Sequence, residues 1–279
     1  MKFSILIANY NNGRFFKDCY MSIIAQEYSN WEAVILDDVS TDNSLEIIRE
    51  IIGSDPRFRI FENAENSGVG ITKSKLIEIA DGEICGFVDP DDAVASDALS
   101  SAVAIFKQKK DIVLTYSKFA KCDEYLKPIE ISKMTDQVVN SSPFFFNCPV
   151  NIVHFVSFRK EVYEKTEKMN TEMKIAEDQD LYLKMYERGK VQFINKVHYL
   201  YRLHSGGISQ NSNKPKSKEY FAQVIFNAFR RRNLKIINGK TIPKVYTNPE
   251  EIYDLLEYQN RFLFKVNKKL IIFVQKIFN

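Results

Sequence analysis

From the N-terminus to Tyr116, apolar runs bounded by polar or acidic residues alternate with segments whose apolar positions recur at helical spacing. Phe3–Ala8, Glu32–Asp37, Arg59–Phe61, Glu83–Val88 and Asp111–Tyr116 read as strands. Arg14–Gln26, Thr41–Ile52, Gly70–Ala80 and Ser96–Lys107 read as helices. Near-continuous apolar strands interleaved with helices imply a parallel sheet covered on both faces, because each crossover must lay its helix on the sheet. The expected class is α/β, with a doubly wound, mostly parallel sheet. Beyond Tyr116 the regularity falls away, and Lys121–Val150 is polar and irregular apart from the run Pro143-Phe-Phe-Phe-Asn-Cys-Pro149. Val153–Phe158 reads as a strand, Lys160–Lys168 as a helix, Asp178–Gly189 as a helix ending on Gly189 at its C′ position, and Val191–Arg202 as a strand pair. From Asn213 the composition turns to Lys, Asn, Pro and Ser, followed by helices over Glu219–Asn233 and Pro249–Phe278. The chain thus divides into a body, residues 1–210, and a C-terminal helical extension, residues 211–279; the body itself divides near residue 115.

Composition narrows the class. With 279 residues, 45% hydrophobic and only 10 Gly and 8 Pro, the chain can bury a sizeable core and is neither disordered nor repetitive. The four cysteines, Cys19, Cys85, Cys122 and Cys148, form no CxxC pair, so four buried thiols in a reducing compartment are expected, without structural zinc. The net charge of +3 implies no nucleic-acid partner. Its distribution is uneven: residues 211–279 carry 14 Lys and Arg against 5 Asp and Glu, so a basic tail follows an acidic body. The apolar opening Phe3–Ala8 is shorter than the ~7–15-residue core of a signal peptide. No stretch approaches the ~18–20 apolar residues of a membrane span. A cytoplasmic location is expected.

In open parallel sheets ligands bind beyond the carboxyl ends of the strands, and the acidic residues gather there. The second strand ends in Asp37-Asp38-Val39-Ser40-Thr41-Asp42 and the fourth in Asp89-Pro90-Asp91-Asp92. Caps and turns account for Ser40, Thr41, Asp42 and Ser96. They do not account for three carboxylates within four residues, which repel one another unless a cation neutralises them or a proton is retained. All-oxygen ligands favour Mg²⁺ or Mn²⁺, ions that keep positions for substrate phosphates. The chain has no GxGxxG after its first strand and no GxxxxGK[ST], which argues against a Rossmann dehydrogenase and a P-loop NTPase.

Taken in order, Ser4-Ile-Leu-Ile-Ala-Asn-Tyr-Asn11, Ile35-Leu-Asp-Asp-Val-Ser-Thr-Asp42, Asn66-Ser-Gly68, Gly82-Glu-Ile-Cys-Gly-Phe-Val-Asp-Pro-Asp-Asp92 and Ala176-Glu-Asp178 resemble the family 2 glycosyltransferases. The resemblance covers the body and implies a GT-A fold, a nucleotide-sugar donor, a divalent cation and inversion at the anomeric carbon. It makes residues 1–115 a nucleotide-binding half and 116–210 an acceptor half. By that resemblance Ala8 and Tyr10 begin the nucleotide pocket, with Tyr10 stacking on the base, and Asp38 accepts from the base ring, usually uracil. Lys73 stands where the family often has an Arg facing the diphosphate. Asp89 and Asp91 match the DxD motif and Asp92 extends it, the first facing ribose or metal-bound water, Asp91 and Asp92 the metal. Asp178 matches the general base. Tyr201-Arg-Leu-His204-Ser-Gly-Gly-Ile-Ser209 resembles a segment that closes over the donor, which would bring His204 to the metal or diphosphate. Ala8 replaces the family's usual Pro or Thr, and Val39 replaces a Gly whose turn a β-branched residue hardly adopts.

The chemistry read from the residues agrees. An acceptor hydroxyl needs a carboxylate to take its proton as it attacks opposite the leaving nucleoside diphosphate, the part expected of Asp178. Trp31 and the run Phe144–Phe146 are expected in core, and His154 and His198 carry no assigned role. A sugar nucleotidyltransferase and a non-catalytic nucleotide-sugar-binding protein remain as alternatives. The first normally opens with a Gly- and Arg/Lys-rich phosphate loop that Ala8–Arg14 lacks. Expected partners are the donor, a saccharide or lipid-linked acceptor and, through the last helix, an anionic membrane surface or a second copy of the chain. On that helix Phe262, Leu263, Phe264, Val266, Leu270, Ile271, Phe273, Val274, Ile277 and Phe278 share one broad face, with Lys265, Lys268, Lys269 and Lys276 on the other.

Overall fold

The computed structural model describes residues 1–204 and 214–277. The expected boundary near Asn211, the segment 205–209 and Phe278 lie outside the described residues.

The chain opens with the alternation read from the sequence: β1 (Phe3–Asn9), α1 (Phe16–Ile24), β2 (Trp31–Asp37), α2 (Ser44–Ile52), β3 (Phe58–Glu62), α3 (Val69–Ile79), β4 (Ile84–Phe87), β5 (Ala93–Val94) and α4 (Ala98–Gln108). β6 (Ile112–Cys122), β7 (Pro128–Ile131), β8 (His154–Arg159), α5 (Lys160–Tyr163), α6 (Glu177–Tyr186) and β9 (Lys190–Arg202) complete the body. The extension holds α7 (Lys214–Arg231), a small hairpin of β10 (Ile236–Ile237) and β11 (Lys240–Thr241), α8 (Pro249–Leu256) and α9 (Phe262–Ile277). One mixed sheet of nine strands runs β3-β2-β1-β4-β8-β6-β9-β5, with β7 on β6. The pairings among β3, β2, β1 and β4 are parallel, as is β6 with β9, while β8 inserts antiparallel between β4 and β6.

Side chains alternate across a strand, so a strand buried on both faces feeds two cores. Phe3, Ile5 and Ile7 of β1, with Ala33 and Ile35 of β2, pack against Phe16 and Cys19 of α1, Ile48 of α2 and Phe106 of α4. Leu6, Val34 and Leu36 face the other way, onto Leu76 and Ile77 of α3 and Leu181 and Met185 of α6. A third core joins Phe146 and Leu183 of the body to Ile225 and Phe229 of α7 and Ile252 and Leu256 of α8. Arg231 of α7 reinforces this junction, with ion pairs to Asp180 at 3.1 Å and Glu187 at 2.9 Å.

Several expectations are corrected. Residues Val191–Arg202 are not a strand pair but part of one 13-residue strand along β6; the register steps from Ser117 opposite Ile194 to Lys118 opposite Val197, so Asn195 and Lys196 bulge rather than turn. Gly189 is not a left-handed cap, since α6 ends at Tyr186; a Cβ on Gly189 would stand 2.3 Å from a Val113 methyl, so close approach is what requires glycine there. The helix expected over Lys160–Lys168 stops at Tyr163, where Thr166 Oγ1 donates to the Tyr163 carbonyl at 2.7 Å and accepts from the Lys168 amide at 2.9 Å. The helix expected over Pro249–Phe278 is two helices in the described residues, Pro249–Leu256 and Phe262–Ile277, parted by a 3₁₀ turn at Glu257–Asn260 and an extended Arg261. Trp31 lies in core, edge-on to Phe58 and under the Arg57 guanidinium. Of the aromatic run, Phe146 is core, Phe145 packs on Tyr186 and Phe144 is exposed. All four cysteines are free thiols, Cys148 half-buried and the others buried.

Candidate active site

The strand order reverses between β1 and β4, which opens a crevice at their carboxyl ends. Ala8, next to the last residue of β1, and Tyr10, just beyond the strand, stand at this end of the sheet, Ala8 half-buried and Tyr10 exposed. Beyond β2, Asp37 is wholly buried and accepts from Asn9 Nδ2 at 2.6 Å, Ser40 N at 2.7 Å and Ser40 Oγ at 2.6 Å, so its part is to shape the turn. Val39 takes φ 61°, the left-handed backbone its sequence context calls for at the expense of a β-branched side chain.

Asp38 is buried and accepts three hydrogen bonds: Asn63 Nδ2 at 2.7 Å and Ser67 N at 2.9 Å on Oδ1, and Gly68 N at 2.8 Å on Oδ2. Gly68 reaches it at φ 83°, a conformation that favours glycine. Asp38 thereby ties the loop before α3 to the end of β2, and α3 carries Lys73. Lys73 Nζ lies 2.8 Å from Glu177 Oε1, joining α3 to the first turn of α6. Burial alone would lower the Lys73 pKa, but Glu177, Asp89 and Asp178 outweigh it and hold the ammonium above its ordinary value.

Asp178 follows Glu177 in the acidic first turn of α6, where the helix dipole favours negative charge. The N-cap is Ala176, at φ 63°, so Asp178 does not cap the helix. Burial, reinforced by Glu177, pushes its pKa up to about 6 against the opposing pull of Lys73 and the Gln179 amide. This is the range in which a carboxylate works as a base near neutral pH.

At the end of β4, Asp89 meets Tyr199, whose Oη accepts from the Asp89 amide at 3.1 Å and lies 3.4 Å from its Oδ2. Asp91 Oδ2 lies 2.8 Å from His204 Nε2. Asp92 is buried: Oδ1 accepts from the Arg202 amide at 2.7 Å, while Oδ2 has no hydrogen-bond partner among the described residues. Burial, then the neighbouring aspartates, raise the pKa of both Asp91 and Asp92. Among the described residues no group of three or more His, Cys, Asp or Glu side chains is arranged to hold an ion. Asp91 and His204 offer carboxylate and imidazole ligand types that could hold a divalent cation, and a cation there would favour the charged form of the raised acids. The Arg202 guanidinium fastens this corner, donating to the Asp91 carbonyl at 2.6 Å, to Asp18 at 2.7 Å and to the Glu124 carbonyl.

Three neighbours carry contacts that the sequence did not foretell. Glu177 is the partner of Lys73, and Tyr199 the partner of Asp89. His154 stacks on Tyr199 with ring centroids 4.5 Å apart and on Tyr201 at 5.5 Å; burial pulls its pKa down to about 4. The i, i+2 spacing of Tyr199 and Tyr201 on a strand was the available signal, since it places both on one face.

A model of the family described as Glycosyl transferase family 2 matches residues 4–166. The chain is 27% identical to the chondroitin synthase of Pasteurella multocida (strain Pm70) over 238 residues, 82% of this chain and 23% of that protein. It therefore spans about a quarter of that relative's length. Among solved structures, S. aureus TarS 1-349 in complex with UDP-GlcNAc matches with a TM-score of 0.70 at 19% identity, over 92% of this chain and 70% of that one. Mannosyltransferase PcManGT from Pyrobaculum calidifontis, in complex with GDP-Man and Mn²⁺, matches with a TM-score of 0.58 at 17% identity, over 91% of this chain and 68% of that one. These likenesses establish a GT-A fold. With its family model spanning more than half the sequence, the chain belongs to glycosyl transferase family 2.

Proposed function

We propose that this chain is an inverting, cation-dependent transferase that moves a sugar from a UDP-sugar to a hydroxyl of a glycan or lipid-linked saccharide, in surface polysaccharide synthesis at the cytoplasmic side of the membrane. The reading is supported by the electrostatic proximity of Lys73 to Asp89 and Asp178, by the pairing of Asp91 with His204 two residues past Asp89, and by Asp38 at the carboxyl end of β2, two strands from β4. The bound UDP-GlcNAc and GDP-Man of the two structural neighbours support a nucleotide-sugar donor, and the Mn²⁺ of one supports a cation.

Tyr10 lies open at the mouth of the crevice, available to stack on the base. Asp38 Oδ2 accepts one protein hydrogen bond and so keeps a lone pair for a base N–H. Lys73 stays charged and faces the diphosphate, with Glu177 fixing its position. Asp89 faces the ribose side, held by Tyr199. Asp91 and His204 would hold Mn²⁺ or Mg²⁺, with Asp92 orienting the loop from beneath through the Arg202 amide. A cation held there would supply neutralisation of the charge that develops on the departing diphosphate. Asp178 takes the proton of the acceptor hydroxyl as that oxygen attacks the anomeric carbon from the face opposite the diphosphate.

Calorimetry of UDP binding tests the donor and cation parts together. UDP affinity is expected to fall by an order of magnitude or more when EDTA replaces Mn²⁺, and Asp91→Asn is expected to abolish that difference. Equal UDP affinity with and without the ion would remove the cation from the reading; tighter binding of GDP or dTDP than of UDP would remove uracil.

A further inference from the structure

Most of the last helix's broad apolar face does not pack on the body; only its edge does, through Phe264, whose ring meets Tyr258 at 5.1 Å, and Ile271. α9 is seated by the opposite side: Ile272 is 9% exposed, Gln275 exchanges two 3.0 Å hydrogen bonds with the Asn140 amide and carbonyl, and Lys268 Nζ donates to Asn151 Oδ1 at 3.1 Å. At 100° per residue, Phe262, Val266, Phe273, Ile277, Leu270, Leu263 and Val274 fall within about one third of the circumference, on the side away from these contacts. They are open to solvent, with Phe262 78%, Leu263 79%, Phe273 61% and Leu270 59% exposed. Scattered apolar surface residues are ordinary; a continuous stripe this long on one helix marks an interaction site. Lys265 and Lys269, both exposed, form one border of the stripe, and Phe262–Ile277 contains no Asp or Glu.

We infer that the outward face of α9 lies on an anionic lipid surface, its apolar side chains entering the headgroup boundary and its bordering lysines meeting lipid phosphates. Charge decides the occupant. A second copy of the helix would set unbalanced lysines against lysines, whereas an anionic leaflet supplies the missing counter-charge to a tail of net +9 and repels the acidic body away from the surface. Among the described residues no helix is long and apolar enough to cross a membrane, so the attachment is peripheral. The seat of α9 also connects to the crevice. Asn147, between the two segments α9 grips, accepts from the Asn151 amide at 2.9 Å and donates to Gln179 Oε1 at 2.6 Å, and Gln179 adjoins Asp178. The surface would therefore stand on the acceptor side of the molecule, which suits a lipid-linked saccharide; that last step rests on the transferase reading above.

Sedimentation of the full chain with phosphatidylcholine vesicles, with and without phosphatidylglycerol, tests the inference. Salt-sensitive binding to the phosphatidylglycerol vesicles is expected. Lys265→Gln with Lys269→Gln should weaken it roughly 30-fold, about fivefold for each basic residue near an anionic surface. Phe262→Ser with Phe273→Ser should weaken it by more than ~100-fold, and because both side chains already face solvent the fold should be unchanged. Full-length protein absent from both pellets, or bound equally to both vesicles, would overturn the inference, as would a stable dimer in ultracentrifugation that Phe273→Ser dissociates. UDP binding by the same variants separates the two readings: vesicle binding lost with UDP binding intact concerns α9 alone, and vesicle binding intact with no UDP binding in the parent chain concerns the crevice alone.

Discussion

Glu32, at the amino end of β2, and Asp91 and Asp92, just beyond the carboxyl end of β4, are carboxylates packed against the same sheet, and their surroundings push them in opposite directions. Glu32 accepts from Ser4 Oγ at 2.6 Å and the Asp81 amide at 2.7 Å, and lies 3.0 Å from Lys2 Nζ and 3.1 Å from an Arg59 guanidinium nitrogen. Burial opposes its charge, but these four donors outweigh burial and hold its pKa down at about 2. At the other end burial is reinforced by like charge, and Asp91, Asp92 and Asp178 are all held above the usual carboxylate range. One end spends its acids on stability; the other keeps acids whose charge the protein alone does not satisfy, and a bound ligand relieves that cost.

The largest test of this contrast is Asp178→Asn. Transfer should fall ~10²–10⁴-fold, the range for a lost general base, while UDP binding stays within a few-fold of the parent. Because the Asp178 pKa is raised from 3.8 to about 6, its charge costs folding stability increasingly across that interval and fully above it. The variant should therefore melt a few degrees higher at pH 7, with the advantage shrinking toward pH 4. Near-normal transfer would remove Asp178 from the base role.

Glu32→Gln is the mirror experiment. The Glu32 pKa is lowered from 4.5, so its ion pairs contribute stability that is complete above the unfolded value and is lost as pH falls toward 2. Urea unfolding at pH 7 should show a loss of about 1–3 kcal/mol that narrows under acid, with transfer per folded molecule unchanged. A loss of activity without loss of stability would break the contrast between the two ends.

The smallest effect is expected from Glu177→Gln. The acid limb of the pH–rate profile should lie near the Asp178 pKa of about 6, with activity lost below it. Removing Glu177 takes away a neighbouring negative charge and leaves Lys73 to act on Asp178, so the limb should move to lower pH by less than ~1 unit. A limb that stays put would show that Glu177 does not contribute to the raised Asp178 pKa, and one that moves up would reverse the sign assigned to it.

The alternating half of the fold was legible because the interiors of strands buried on both faces must be almost wholly apolar, as in Ile5–Ala8 of β1, Ala33–Leu36 of β2 and Ile84–Phe87 of β4, with polar residues such as Glu32 and Asp37 confined to strand ends. The acidic strand ends were legible for the converse reason, as clustered carboxylates have no place in such runs without a job. The region after Tyr116 was harder. β7 carries four exposed residues and has no burial pattern to read, the bulge at Asn195 and Lys196 resembles a turn, and Thr166 ends a helix that periodicity alone would continue.

By itself the sequence determined the periods of its elements, the acids at the carboxyl ends of the parallel strands and the imbalance between an acidic body and a basic tail, because these depend on neighbours along the chain. Only the tertiary structure decided which acids find partners. Lys73 meets Glu177 across 104 residues, Asp92 turns inward to the Arg202 amide across 110, and Asp91 meets His204 across 113. It also decided which face of α9 is spent on the body and which is left over. The α9 pattern shows an apolar face and a lysine face but not which one the protein needs, and the polar grips of Asn140 and Asn151, more than 100 residues away, settle it in favour of Gln275 and Lys268.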